Sequence, residues 1–214
     1  MRQRAPLLAY GQQWHVGPDR DRMSYQDETG LVDLPRPNLP GEHQIMNAGV
    51  ALTVLRHLGF GPDACEAAVT EAFWPARMQR LRKGPLVETA SQAEIWLDGG
   101  HNPAAGQALA ADLRSLPERP THLICGMLNT KDVVGYLTPL AQVAQGLTAV
   151  SIPGEKATLS ASETAQTAEA VGFSVDTAKT VQEALAAIAK ETPHARVLIC
   201  GSLYLAGAVL RENG

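Results

Sequence analysis

A doubly wound α/β fold with a mainly parallel sheet is what the sequence predicts, and three features carry that expectation. From Leu86 to the C-terminus, apolar runs of strand length alternate with stretches of helical periodicity. The connections between them are short and the crossovers helical, which places neighbouring strands parallel. The composition is that of an ordinary globular chain: 214 residues, 45% hydrophobic and 19% charged. At that length roughly 70% of the unfolded surface can be buried, enough for one large domain or for one domain and part of another.

The first forty residues follow a different pattern. Leu7 to Tyr10 is apolar, Trp14 and Val16 alternate with polar neighbours, and Asp27-Glu28-Thr29-Gly30 is a turn signal. Leu31 to Leu34 resumes the strand pattern before Pro35, Pro37 and Pro40. Short strands at the edge of a sheet are expected there. After Gly41 a helix begins, with Glu42 at its positive N-terminal end and Ile45, Ala48, Leu52, Leu55 and Leu58 at helical spacing until Gly59 and Gly61 stop it. Pro62 to Phe73 reads as a second, short helix. The polar and basic stretch between Trp74 and Gly84, containing Arg77, Arg80, Arg82 and Lys83, is the expected boundary.

Beyond it, strands are expected at Leu86 to Thr89, Glu94 to Asp98, Thr121 to Met127, Gly146 to Ile152, Phe173 to Thr177 and Arg196 to Cys200. Helical patterns cover Pro103 to Leu116, Asp132 to Ala144, Ser162 to Val171, Val181 to Lys190 and Leu203 to Arg211. Ser160 and Glu163 have the spacing of a capping box.

The net charge of −4 argues against a nucleic-acid or anionic-membrane partner, either of which needs a basic face. No apolar run approaches the roughly 20 residues of a spanning helix. Pro6 interrupts the short apolar stretch after Arg2 and Arg4, so Met1 to Tyr10 reads as the approach to a strand and not as a signal peptide. Three cysteines cannot all be paired; Cys125 and Cys200 end apolar runs, and with Cys65 they fit buried thiols in a reducing cytoplasm.

Chemistry is most legible in Leu97-Asp-Gly-Gly-His-Asn-Pro103. An apolar strand ends at Asp98, two glycines allow a tight turn, and Asn102-Pro103 is an N-cap followed by proline at the first helical position. Ligands of open α/β sheets bind at such places, beyond the carboxyl ends of strands and against helix N-termini. Asp98 has the chemistry to accept hydrogen bonds from ribose hydroxyls and His101 to meet an anion; a capped turn with a solvated histidine accounts for the same residues equally well. Ser202, after Gly201, is a second candidate seat, for a carboxylate, although capping alone explains a serine there. Lys131, in Gly126-Met-Leu-Asn-Thr-Lys-Asp132, is a third candidate for anion contact beside the commoner reading of a solvated lysine. No phosphate loop, G-x-G-x-x-G, G-x-S-x-G, H-E-x-x-H or Cys-x-x-Cys is present, so no metal site is expected.

Five segments together carry a family resemblance. Leu39-Pro-Gly-Glu-His-Gln-Ile-Met-Asn-Ala48, Trp74-Pro-Ala-Arg-Met-Gln79, the Leu97–Pro103 segment, Gly126–Asp132 and Gly201-Ser-Leu-Tyr204 occur in the same order as the signatures of the folylpolyglutamate synthase/dihydrofolate synthase family, of the Mur ligase superfamily. The resemblance implies a Rossmann-like C-terminal glutamate-ligase domain over residues 84–214, an interdomain linker over 75–83, and the C-terminal part of a central ATPase domain over 1–74. It also implies ATP and Mg2+ as cofactors, with the phosphate loop and metal ligands outside this sequence, and a cytoplasmic, monomeric full-length enzyme acting on L-glutamate and dihydropteroate or folyl-glutamate.

By the same resemblance, Asn47 contacts adenine, Arg77 the phosphates and Asp98 the ribose, while His101 and Ser202 bind the incoming glutamate. ATP would activate a pterin-bound carboxylate as an acyl phosphate for attack by the glutamate amine. The alternatives are another Mur-type amide ligase and a stand-alone, non-catalytic module binding nucleotide or glutamate. One departure is Ala76, where the family usually has glycine; a methyl group is tolerated if the backbone keeps φ negative there.

Overall fold

The computed structural model describes residues 6–214; residues 1–5, the start of the segment read as a strand approach, lie outside the described residues. The chain divides into two compact units between Trp74 and Pro75.

In the first unit, β1 (Trp14–Asp19), β2 (Arg22–Asp27) and β3 (Gly30–Pro35) form an antiparallel meander. Alternation places Met23 and Tyr25 of β2 on the buried face with Trp14 and Leu34. Helices α1 (His43–His57) and α2 (Pro62–Thr70) cover this face with Ile45, Leu52, Cys65 and Val69. Leu7 to Tyr10 is not a strand. Gln12 and Gln13 donate back to the Ala9 carbonyl, so the segment turns, and Tyr10 keeps only an isolated bridge to Trp14.

The second unit holds β4 (Gln79–Leu81), α3 (Pro85–Thr89), β5 (Glu94–Leu97), α4 (Pro103–Ser115), β6 (Thr121–Cys125) and α5 (Val133–Leu137). It continues through β7 (Gly146–Ala149), α6 (Ala161–Ala170), β8 (Ser174–Thr177), α7 (Val181–Glu191), β9 (Arg196–Cys200) and α8 (Leu203–Asn213). The sheet order is β4-β5-β9-β6-β7-β8, parallel throughout except for β4, which runs antiparallel to β5. One face packs Leu123, Cys125, Leu147 and Leu198 against α4, α5 and α6. The other packs Ile95, Leu97, Ile124, Val197 and Ile199 against α3, α7 and α8. The strands between the two layers carry near-continuous apolar runs, as strands buried on both faces do.

Three expectations need correction. Leu86 to Thr89 is helical: Pro85 occupies the first helical position, where its missing N–H and fixed φ favour a helix, and Leu86 is buried. The edge strand comes instead from Gln79–Leu81, inside the segment taken as linker, where three residues gave no period to read. The helix over Asp132 to Ala144 breaks at Pro139 into α5 and a short 3-10 turn, Leu140–Gln142. Ser160 and Glu163 form the capping box on α6 that their spacing predicts.

Candidate functional site

Strands β5, β9 and β6 are neighbours, so the loops at their carboxyl ends lie side by side. Beyond β5 the chain enters α4 on one face, whereas beyond β9 it enters α8 on the other. Such a divergence opens the crevice in which doubly wound sheets bind ligands. Helix N-termini on both sides supply unpaired backbone N–H groups and a partial positive charge. Each is capped from its own loop: Asn102 accepts from Ala105 N (2.9 Å) on α4, and Ser202 accepts from Tyr204 N (3.0 Å) on α8.

Arg77 reaches this place from before β4, on a turn of unusual backbone. Ala76 and Met78, on either side of it, have φ of +56° and +39°. A left-handed conformation costs an L-residue about 1–2 kcal/mol. The condition under which a methyl group would be tolerated at Ala76, a negative φ, is not met, and the methyl group is held in the region glycine prefers. The turn is restrained by its surroundings. The Met78 N–H donates to Asp98 Oδ2 (2.8 Å), the Gly99 N–H to the Ala76 carbonyl (2.9 Å), and the Ala76 N–H to Gln79 Oε1 (2.9 Å). The guanidinium of Arg77 is half-buried and donates to the Ala76 carbonyl (3.1 Å). A Cβ at Gly99 would sit 2.3 Å from Leu203 Cδ2 and 3.2 Å from Arg77 Nη1, so the bare backbone of Gly99 is what lets both side chains converge.

Asp98 is 5% exposed. Its Oδ1 accepts from the Gly100 N–H (2.6 Å) while Oδ2 holds Met78, so both oxygens are engaged by backbone. His101 is half-buried, with Nδ1 3.0 Å from the Gly99 carbonyl. Ser202 is buried, and Lys131 is half-buried in the loop after β6. The structure thus gathers Arg77, Asp98, His101 and Ser202 on the loops at one end of the second unit's sheet. Asn47 is on α1 in the first unit, exposed, its Nδ2 donating to Gln44 Oε1 (2.9 Å). Gln79, quoted in the sequence signature but given no role, proves to hold the Arg77 turn.

The sequence also gave no sign of a charged cluster in the first unit. Arg56 binds both carboxylate oxygens of Asp27 (2.6 and 3.0 Å) and lies over the Tyr25 ring, beside a cavity of about 460 Å³. The Arg56 hydrogen bonds, with those from Thr29, hold the Asp27 carboxyl far below the usual carboxylate range. The partners are about thirty residues apart in sequence, beyond any local pattern. In the second unit, a hydrogen bond shared with Cys200 and complete burial push the Cys125 thiol well above its ordinary value. Among the described residues no group of three or more His, Cys, Asp or Glu side chains is placed to hold a metal ion, and no helix is long and apolar enough to cross a membrane.

A mostly parallel sheet between two helical layers, whose chain leaves β5 and β9 toward opposite faces with Arg77 beside Gly99 at that point, is a doubly wound domain, the class that binds ligands at such switch points. The family described as dihydrofolate synthetase, C-terminal domain, matches residues 86–212, and the chain belongs to that family. Folylpolyglutamate synthase of Lacticaseibacillus casei is 30% identical over 195 residues, which cover 88% of this chain and 42% of that protein. The structure of Mycobacterium tuberculosis folylpolyglutamate synthase complexed with ADP and AMPPCP aligns at a TM-score of 0.75 and 27% identity, over 96% of this chain and 49% of that one. E. coli FolC in complex with DHPP and ADP shares the fold at a TM-score of 0.80 and 24% identity, over 97% of this chain and 47% of that one. The chain therefore spans about half the length of the relatives it matches.

Proposed function

We propose that the chain is the C-terminal portion of an ATP-dependent ligase that joins L-glutamate to dihydropteroate or folyl-glutamate through an acyl phosphate. The observation that carries this reading is the presentation of Arg77 beside Gly99, between the capped N-termini of α4 and α8, in a chain that belongs to the dihydrofolate synthetase family. A planar guanidinium suits phosphate oxygens, and the flanking N–H groups suit anions. Residues 1–74 would be the end of the central ATPase domain, 75–83 the segment that joins the two, and 84–214 the glutamate-ligase domain. In the second unit, Arg77 and Asp98 are assigned to the nucleotide, and Asn47, in the first unit, takes the adenine role that the family resemblance gives it. His101 and Ser202 form the side that receives glutamate, whose carboxylates match the α8 N-terminus.

The donor set fits ATP as a substrate: Arg77 neutralises phosphate charge and the loop amides orient the chain of phosphates. It does not fit Mg2+, since no described cluster of carboxylates or imidazoles is available, and no step is assigned to the metal within these residues. The full-length enzyme is expected to be a cytoplasmic monomer.

Arg77→Ala in the full-length ligase should lower kcat/KM for ATP by about 10²–10³-fold, the loss typical when one donor to developing charge is removed. The 214-residue chain by itself should form no amide and hydrolyse no ATP. Glutamylation of a pterin substrate by this chain alone, or an Arg77→Ala ligase with normal ATP kinetics, would overturn the reading.

A further inference from the structure

We propose that Gln79 is a positioning residue for Arg77: its side-chain carbonyl fixes the peptide plane ahead of the left-handed Ala76 and so sets where the guanidinium stands. This deepens the functional reading above and rests on its assignment of Arg77 to the phosphates; Asp98 keeps its own assignment to the nucleotide. Gln79 opens β4, where its backbone pairs with Leu97 of β5. From that anchored position the side chain reaches back three residues, and Oε1 accepts from the Ala76 N–H at 2.9 Å.

Peptide groups are planar, so the φ and ψ of a residue are set by the planes on either side of it. The Ala76 N–H belongs to the plane between Pro75 and Ala76, which Gln79 holds. The next plane is held through the Ala76 carbonyl, which accepts from the Gly99 N–H at 2.9 Å, and the one after it through the Met78 N–H, which donates to Asp98 Oδ2 at 2.8 Å. Gln79 therefore supplies the restraint that closes the set at Ala76, whose φ is +56° and which an alanine does not hold on its own preference. Ala76 is 2% exposed, so without the Gln79 acceptor its N–H would lose its partner with little access to water, and the plane would rotate to find one. The chain into Arg77 would turn with it. Misplacement of about 1 Å is enough to lose about 10²-fold in rate at a reacting centre.

The test measures kcat/KM for ATP and KM for L-glutamate in the full-length ligase carrying Gln79→Ala, Arg77→Ala, the two together, or Gln79→Ala with Ala76→Gly. Gln79→Ala should lose about 5–30-fold in kcat/KM for ATP, the factor equivalent to the left-handed cost at one alanine. The KM for glutamate should stay within about twofold, because the N-termini of α4 and α8 keep their own caps at Asn102 and Ser202. The variant lacking both side chains should fall no more than about twofold below Arg77→Ala alone, since both changes remove the same interaction. Adding Ala76→Gly to Gln79→Ala should recover at least about threefold, because glycine takes the left-handed conformation without a restraint. A residue that only stabilised β4 would not be rescued from position 76.

Gln79→Met, of similar length but only a weak acceptor, should lose as much as Gln79→Ala, and serves if the alanine variant fails to fold. Four results would each overturn the proposal while leaving the phosphate reading intact: parental ATP kinetics in Gln79→Ala beside an impaired Arg77→Ala, losses that multiply when the two are combined, no recovery with Ala76→Gly, or a glutamate KM that rises as far as the ATP loss. An Arg77→Ala ligase with normal ATP kinetics would sink the phosphate reading, and the role of Gln79 with it.

Discussion

Ala76 concentrates the conflict between backbone and side chain in this molecule. It is buried at φ +56°, a conformation open to glycine and hostile to branched residues. Ala76→Gly would relieve about 1–2 kcal/mol of strain but lose about 0.8 kcal/mol from the buried methyl group and up to about 1 kcal/mol to a freer unfolded chain. The variant should therefore lie within about 1 kcal/mol of the parent. Ala76→Val should destabilise by about 2 kcal/mol or more, and thermal melts of the pair check the difference.

Asp27 gives a pH dependence of defined sign. Its folded value lies below the unfolded one of about 3.9, so its contribution to stability is complete above that pH and fades as the pH falls toward the folded value. Denaturant midpoints should drop steeply below about pH 4, and Asp27→Asn should be less stable at pH 7 with a flatter acid limb.

At the level of elements, α4 meets α5 through Gly106, where an added Cβ would lie 2.2 Å from the Tyr136 carbonyl oxygen. Alanine has the better helix propensity by up to about 1 kcal/mol, but a contact that close to backbone forces the helices apart. Gly106→Ala should lower the melting temperature, by about 1–3 kcal/mol in stability; a rise would mean that propensity outweighs the contact. In the sheet, Cys125 and Cys200 pair across β6 and β9, and Cys65 is buried in the other unit. All three thiols should resist a water-soluble thiol reagent in the native protein and react only on unfolding.

Across the whole molecule, α1 is the outlier. It buries Ile45 and Leu52 while Met46, Val50, Val54 and Leu58 form an exposed row at four-residue spacing, 38–66% accessible. A helix that is apolar on more than one side suits the interior of a larger domain, which agrees with the chain's share of its relatives' length. Replacing Val50 and Val54 with lysine and glutamate should raise the concentration at which the chain begins to scatter light. Stability should change by less than about 0.5 kcal/mol. A loss above about 1 kcal/mol would show that the row is packed within this chain.

The sequence by itself determined the alternation of strands and helices after residue 90, the capped loops around Asp98 and Ser202, and the family. These are local matters of apolar period, glycine and cap chemistry, and each is written within about ten residues. Only the tertiary structure decided that β9 inserts between β5 and β6, bringing the Ser202 loop beside Asp98, because pairing order depends on which faces the crossover helices bury. It also turned the supposed linker into strand β4 and the Leu86 segment into a helix, since three residues of edge strand have no period and a proline outweighs a short apolar run. The sign of φ at Ala76 and Met78 lay beyond any local reading, because beside Gln79 the groups that hold those residues there belong to another loop, Asp98 and Gly99, twenty or more residues further along the chain.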